Sequence, residues 1–196
     1  PRGRVDELLE EVGATGLRDR GLRPGDRVLL RIGNEPAFPV AYLACIAAGM
    51  IPVPTSAMLT AREVTKIAGE ITHALTIAGE GIALPEGDPA PVMPAAELAG
   101  MASLSPAGFD RGDADRLAYI VYTSGTSGRA RAVMHAHRAI LARQMMFDGW
   151  YGLQPTDRLL HAGAFNWTFT LGTGLMDPWT AGATALIPAD GTAIEQ

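Results

Sequence analysis

Residues 117–138 read LAYIVYTSGTSGRARAVMHAHR and place a glycine-rich loop between two β-rich runs. The apolar run 117–122 predicts a buried strand before the loop, and residues 132–135 predict a second strand after it. Glycine, serine and threonine fill the loop, and Arg129 and Arg131 follow at its end. The fold and the function that the sequence predicts both depend on whether this loop is an ordinary turn or a binding site for a phosphate chain.

The loop carries the hydrogen-bond donors that a polyanion needs. Backbone N–H groups freed by glycine, together with serine and threonine hydroxyls, can donate to phosphate oxygens. Arginine adds fixed positive charge and a fork of donors that suits phosphate. Neither a Walker A sequence nor Gly-x-Gly-x-x-Gly is present, and no helix is predicted directly after the loop. A mobile turn between two strands fits the same composition, so the residue types alone leave both interpretations open.

Predicted strands and helices alternate along the chain, which indicates an α/β fold with a largely parallel sheet. The strands are predicted at 27–32, 50–54, 73–79, 117–122, 132–135, 158–162 and 183–188. The first predicted helix follows the apolar pattern Val5 to Leu17, and the second covers 34–48 with Asn34 as N-cap. The third runs from Thr60 to about Glu70, and Glu63 completes its capping box. Two more helices are predicted over 137–150 and 167–181. Residues 80–115 are rich in proline, glycine and acid, with at most a short helix near 94–101. They predict a boundary between an N-terminal α/β subdomain, 1–110, and a segment, 111–196, that carries the loop.

Composition excludes several classes of function. The 196 residues are 47% hydrophobic and 19% charged, as in a folded globular chain, and the net charge of −5 argues against a nucleic-acid binder. Cys45 is the only cysteine, which excludes a disulfide within the chain and indicates a reducing cytoplasm. No signal peptide is expected, and prolines interrupt the uncharged residues 36–61, so no membrane span is predicted.

Residues 122–138 resemble the phosphate-binding signature of the adenylate-forming enzymes, the superfamily of acyl-CoA synthetases, nonribosomal-peptide adenylation domains and luciferases. That signature reads Thr-Ser-Gly-Thr-Thr-Gly-x-Pro-Lys-Gly, followed by a hydrophobic strand. The matching residues are Thr123, Ser124, Gly125, Thr126 and Gly128, with Ser127 as a conservative replacement. Ala130, Arg131 and Ala132 replace the proline, lysine and glycine. The resemblance implies that residues 123–128, with Arg129 and Arg131, bind nucleotide phosphates.

The flanking sequence extends the resemblance through most of residues 15–190. GLRPGDRVLL (21–30), FPVAYLACIAAGMIPVP (38–54) and GLMDPWTAGATALI (174–187) are similar to stretches of acyl-CoA synthetases, nearest to the short- and medium-chain acyl and aromatic acid branches. This implies the N-terminal part of the adenylate-forming enzyme fold. It also implies the reaction: ATP and Mg²⁺ convert a small carboxylic acid into an acyl-adenylate, and coenzyme A then accepts the acyl group.

Aromatic and histidine side chains after the loop raise two further expectations. By the resemblance, Phe165 and Trp167 line the route of the carboxylic acid; alternatively they pack the start of a helix. His135, His137 and His161 lack the ligand spacing of a metal centre, so no metal site is predicted, and His137 is expected to start a helix.

Later motifs of the family are absent from this sequence. YGLQP (151–155) matches only the first two residues of the Tyr-Gly-x-Thr-Glu motif, and the adenylation lysine has no counterpart, because the only lysine, Lys66, lies far upstream of the loop. The chain is therefore expected to be part of a longer ligase and inactive alone, with its catalytic residues unknown. Two alternatives stay open: an adenylation domain that delivers to a carrier protein, and a truncated, non-catalytic nucleotide-binding or interaction protein. Self-association, including a homodimer, is left open as well.

Overall fold

A four-stranded parallel sheet organises the first half of the fold. The structure is a computed structural model that describes residues 14–101, 103–105, 108–123 and 130–188. The sheet contains β1 (Arg27–Arg31), β2 (Ile51–Pro54), β3 (Leu75–Ala78) and β4 (Val92–Pro94), in the order β2–β1–β3–β4. Nearly every residue of β1, β2 and β3 is buried, because helices cover both faces. This arrangement confirms the predicted α/β fold.

Within residues 14–101, four helices accompany this sheet: α1 (Ala14–Asp19), α2 (Ala37–Ala47), α3 (Ala61–Ile71) and α4 (Glu97–Met101). The alternation of side chains along β1 assigns α2 and α3 to opposite faces. Val28 and Leu30 point into the core that contains most of α2, whereas Leu29 points into the core built on α3. α2 is apolar on all sides and largely buried, which explains the uncharged stretch in the sequence. Of the first predicted helix, only the part from Ala14 lies within the described residues.

The capping box predicted for α3 is present. The Thr60 backbone N–H donates to Glu63 Oε2 at 2.8 Å, and the Glu63 N–H donates to Thr60 Oγ1 at 3.4 Å. The hydrogen bond from the Thr60 backbone lowers the pKa of the Glu63 carboxyl. The buried side chains of α3 are Val64, Ile67, Ala68 and Ile71, spaced as one apolar stripe of a helix.

β4 was not predicted from the sequence. Residues 80–115 were expected to contain at most a short helix, and that helix is present as α4, but β4 precedes it and pairs in parallel with β3. The strand is short and follows Pro91, and only Met93 of its three residues is buried. Prolines are tolerated there because β4 lies at the edge of the sheet.

The two strands around the glycine loop form an antiparallel hairpin. β5 (Leu117–Thr123) pairs with β6 (Arg131–Ala136), with an irregularity between Leu117 and Tyr119. β5 extends both cores, since Tyr119 joins the α2 core and Ile120 joins the α3 core. Most of β6 is exposed. The element directly after the loop is the strand β6 and not a helix, as the sequence indicated.

The last described segment is a β–helix–β unit. β7 (Arg158–Leu160) pairs in parallel with β8 (Thr184–Leu186). Between them the chain is helical: α6 (Thr168–Thr170), a π-helical turn over Leu171–Met176 and α7 (Asp177–Ala181). The helix predicted over 137–150 is also composite: α5 (His137–Ala142) continues as a 3₁₀ turn, Arg143–Met146, and a π-helical turn, Phe147–Tyr151.

A partly buried ion pair joins these two composite helices. Arg143 donates from Nε and Nη2 to the two carboxylate oxygens of Asp177, each at 2.6 Å, and the Tyr151 hydroxyl donates to the same carboxylate. Asp177 is buried, and its hydrogen bonds raise the pKa of Arg143. A Cβ on Gly172 would overlap the Arg143 guanidinium, so this glycine leaves the space that the ion pair occupies.

The Cys45 thiol is fully buried in the α2 core, and burial raises its pKa far above the ordinary value. Across the described residues, every helix is too short or too polar to span a bilayer.

We expect Thr60→Ala to lower the free energy of unfolding by about 1 kcal/mol, because the first turn of α3 loses its side-chain cap. Thr156→Ala, at an exposed turn residue, is the matched control and should change stability by less than about 0.5 kcal/mol. Urea unfolding followed by circular dichroism measures both variants. Equal stability of the two would show that the capping box contributes nothing.

We expect Gly172→Ala to destabilise the chain by about 1–3 kcal/mol, because the new methyl group collides with a guanidinium that Asp177 holds in place. Gly149→Ala also lies in a π-helical turn, but its Cβ would point into open space, and it should stay close to wild type. Thermal unfolding of the two variants under identical conditions decides between a steric and a general effect of removing glycine.

Candidate functional site

The glycine loop is closed by a pair of residues on adjacent strands. Thr123, the last residue of β5, lies directly opposite Arg131, the first residue of β6, and both are exposed. Six predicted phosphate ligands lie outside the described residues: Ser124, Gly125, Thr126, Ser127, Gly128 and Arg129. The structure therefore brings the two described ligands, Thr123 and Arg131, together at the base of the loop, and the roles of all eight stay predictions.

A cleft of about 650 Å³ lies between α3 and the hairpin. Its lining residues are Leu59, Glu63, Lys66, Ile67, Glu70, Tyr122 and Ala130. Lys66 lies far upstream of the loop in the sequence, but in space it borders the same cleft as Ala130. The packing of β5 against α3 accounts for this, and distance along the chain could not have indicated it.

Tyr122 is the polar side chain of β5 that faces this cleft. Its hydroxyl donates to Glu70 Oε2 at 3.3 Å. Burial first, and then the Glu70 carboxylate, raise the pKa of Tyr122 to about 12. The tyrosine is therefore a neutral hydrogen-bond donor at physiological pH, one residue before the hairpin end.

A second cleft, of about 630 Å³, lies at the carboxyl ends of the parallel strands. β2 pairs with one side of β1, and β3 pairs with the other side. The loops that follow these strands therefore diverge and leave a crevice between them. Those loops line the cleft, together with Ala164, Phe165 and Asn166 from the turn between β7 and α6. The turn between β7 and α6 therefore contributes one wall of this crevice, with Phe165 but not Trp167 among the lining residues.

A buried arginine fastens the loops around this cleft. Arg31, at the end of β1, donates from Nε to Ala83 O at 2.9 Å, from Nη2 to Leu59 O at 3.1 Å and from Nη1 to Thr55 Oγ1 at 3.2 Å and to the Ser56 carbonyl. Burial lowers its pKa to about 10, so it stays charged at neutral pH. This role was not predicted from the sequence, although an arginine that ends an apolar strand buried on both faces is a signal for it.

Asn34 does not cap α2, contrary to the prediction. Pro36 occupies the N-cap position, where no side-chain hydrogen bond is made. The Asn34 amide is instead used by a segment distant in sequence: Nδ2 donates to Gly163 O at 2.8 Å, and Oδ1 accepts from the Phe165 N–H at 3.0 Å. These two bonds place the 163–165 turn against the end of β1.

The two aromatic residues predicted to line the acid's route lie in different environments. Phe165 is only 2% exposed and packs on Phe38 with ring centroids 5.2 Å apart, although it also borders the carboxyl-end cleft. Trp167 is 56% exposed and immediately precedes α6. Phe165 thus anchors the turn in the core, while Trp167 presents its indole at the surface. Their contact with an acid stays a prediction.

A continuous row of rings connects this turn to the hairpin. From Phe165 it passes through Phe38, Tyr42 and Tyr119 to His135, with successive centroids 5.2, 6.3, 5.8 and 4.5 Å apart. His135 Nε2 is buried and has no hydrogen-bond partner among the described residues; burial, and then Arg143, lower its pKa. The hairpin of β5 and β6 and the 163–165 turn therefore pack on the same side of α2.

His137 and His161, the other two histidines considered above, contribute to local backbone structure. His137 begins α5, as predicted, and His161 Nδ1 accepts a hydrogen bond from the Gly163 N–H at 3.1 Å. Within the described ranges no group of three or more histidine, cysteine or acidic side chains could hold a metal ion.

Two relatives of known activity are similar to this chain. The 3-hydroxybenzoate–CoA/4-hydroxybenzoate–CoA ligase of Thauera aromatica is 31% identical, over 87% of this chain and 36% of the ligase. The p-hydroxybenzoic acid–AMP ligase of Mycobacterium tuberculosis is 32% identical, over 94% of this chain and 26% of that protein. The chain thus spans about a third or less of the length of these relatives.

A solved structure shows the same fold. The anthranilate CoA ligase AuaEII, in complex with anthranoyl-AMP, superposes with a TM-score of 0.80 over 94% of this chain and 38% of the ligase, at 19% identity. The family model described as AMP-binding enzyme matches residues 5–195. The match covers almost the whole sequence and includes the hairpin, both clefts and the 163–165 turn. The chain therefore belongs to the family of AMP-binding enzymes.

Proposed function

We propose that this chain supplies the phosphate loop and part of the acid-binding wall of an ATP-dependent carboxylate–CoA ligase. In that reaction the carboxylate attacks the α-phosphate of ATP, the α–β bond breaks and pyrophosphate leaves. A thiol, that of coenzyme A, then attacks the acyl-adenylate carbonyl and releases AMP. The observation that carries the proposal is the hairpin: Thr123 and Arg131 face each other where the glycine loop leaves and re-enters the sheet.

The residues at the hairpin end suit a phosphate chain. Thr123 offers an exposed hydroxyl and Arg131 an exposed guanidinium, which would interact with the β- and γ-phosphates as charge develops on pyrophosphate. Residues 124–129 would add backbone N–H groups, hydroxyls and the Arg129 charge. Bound Mg²⁺ would neutralise part of the phosphate charge.

The proposed acid is a small aromatic carboxylic acid. Both relatives are named for hydroxybenzoates, and the turn between β7 and α6 carries Phe165 and Trp167. The exposed indole of Trp167 can stack on an aromatic ring, whereas Phe165 supports the turn from the core. A cytoplasmic site of action fits the single buried thiol.

A different acceptor of the acyl group, the thiol of a carrier protein, also has specific support. The Mycobacterium tuberculosis relative is named an acid–AMP ligase and not a CoA ligase. An adenylation domain that delivers its acyl group to a carrier protein is therefore the competing proposal. The two differ only in the second half-reaction, so the acceptor used by the complete protein separates them.

Arg131→Ala is expected to weaken ATP binding about tenfold, because a charge-assisted phosphate contact is lost at a solvent-exposed position. Isothermal titration with ATP and Mg²⁺ measures the change. Arg158→Ala removes an exposed arginine from β7 and serves as the control for net charge. Equal affinities of wild type and Arg131→Ala would show that Arg131 is not a phosphate ligand.

Carboxylate-dependent exchange between ATP and pyrophosphate should stay at background for this chain alone. The family uses a lysine for adenylation, and the chain has only Lys66, which borders the cleft beside the hairpin. Exchange by the purified chain with 4-hydroxybenzoate would contradict the expectation. In that case Lys66→Met shows whether this lysine supports the reaction: exchange that persists in the variant excludes it.

A further inference from the structure

One side-chain amide joins the exit of β1 to the turn before α6. Asn34 makes two hydrogen bonds across 129 and 131 residues of sequence, to Gly163 O at 2.8 Å and from Phe165 N at 3.0 Å. Both polar atoms of the amide are therefore committed to one turn. A primary amide suits this use because its donor and its acceptor lie side by side, so it satisfies a carbonyl and an N–H together.

The turn that Asn34 holds is closely packed and hydrogen-bonded within itself. A Cβ on Gly163 would overlap the Thr170 hydroxyl oxygen, and the Gly163 N–H donates back to His161 Nδ1. The Trp167 N–H donates to Ala164 O at 3.1 Å. Fixing the backbone at residues 163 and 165 therefore also fixes the backbone that presents the Trp167 indole.

Anchoring at two points defines the orientation of this turn. The Asn34 amide holds its backbone, and Phe38 holds the Phe165 ring at a centroid distance of 5.2 Å. The ring contact alone would allow the turn to rotate about the Phe165 side chain. The two amide hydrogen bonds remove that freedom, because each has a directional requirement.

We infer that Asn34 is a positioning residue for acid binding: its amide sets the place and direction of Trp167 in the acid-binding wall. This role rests on the proposed function, since it assumes that the turn contacts the acid. Asn34 acts through the turn and does not touch the reacting atoms.

Amide hydrogen exchange of the purified chain tests the structural half of this inference. In Asn34→Ala the Phe165 N–H loses its acceptor and should exchange about tenfold faster. The Leu171 N–H, bonded to Trp167 O, and the strand amides of β1 should keep their wild-type rates. Asn34→Asp retains an acceptor for Phe165 but no donor for Gly163, so it should preserve most of the Phe165 protection.

Ligand titrations of the same variants test the functional half. We expect Asn34→Ala to weaken binding of 4-hydroxybenzoate at least about fivefold, monitored by the indole N–H signal of Trp167, and to leave ATP–Mg²⁺ affinity unchanged. Asn34→Asp should recover part of the loss. Gln154→Ala is the matched control: it also removes an amide-to-carbonyl hydrogen bond, to Gly152 O, and should change neither affinity.

Three results would overturn the inference. Unchanged Phe165 exchange in Asn34→Ala would show that the amide does not hold the turn. A parallel loss of acid and ATP affinity would indicate a general structural role. Unchanged acid affinity with faster Phe165 exchange would remove the link to the acid. The proposed function is tested separately, with the wild-type chain. If that chain binds ATP but no aromatic acid, the proposed acid-binding wall is refuted, and the positioning role of Asn34 is refuted with it.

Discussion

The burial of α2 is the constraint on which the rest of the molecule depends. Phe38 and Tyr42 lie one turn apart on this helix, both almost completely buried, with nearly parallel rings. Phe38 receives Phe165 from the turn before α6, and Tyr42 receives Tyr119 from the hairpin. The two segments proposed to bind substrates are distant in sequence, yet they take their positions from adjacent turns of one helix. A change in how α2 packs on the sheet would displace both segments together.

Polar side chains at the end of β1 orient the loops that the apolar core brings together. Apolar burial is not directional, so it brings loops together without setting their orientation. Arg31 sets it for the loops after β2 and β3, and Asn34 sets it for the turn before α6. Arg31 is buried with backbone carbonyls and one hydroxyl as its described acceptors, an arrangement that is stable only while those groups keep their positions. The carboxyl edge of the sheet is therefore held by directional bonds, and its face by packing.

Sequence periodicity identified most of the strands and helices because each of these segments buries one face or both. The Thr60 cap was readable because a capping box is local, with both partners three residues apart. β4 was missed, since three residues beside prolines carry too little pattern. The hydrogen bonds of Asn34 and Asp177 and the place of Lys66 in the cleft beside the hairpin were also missed. Each depends on a partner or a cleft formed by distant segments, and no local rule relates positions 34 and 163. A single carboxylate in the apolar run 171–178 was the one available signal for the Arg143 ion pair.

The position of Cys45 has a practical consequence. Its thiol is the only one in the sequence and lies at the centre of the α2 core, where the raised pKa leaves almost no thiolate at neutral pH. Maleimide and similar thiol reagents attack the thiolate, so they do not modify the folded chain even when Cys45 is kept. A cysteine placed at an exposed position such as Met134 on β6 would then carry a single dye or spin label. The natural sequence is thus already a background for site-specific spectroscopy of the hairpin.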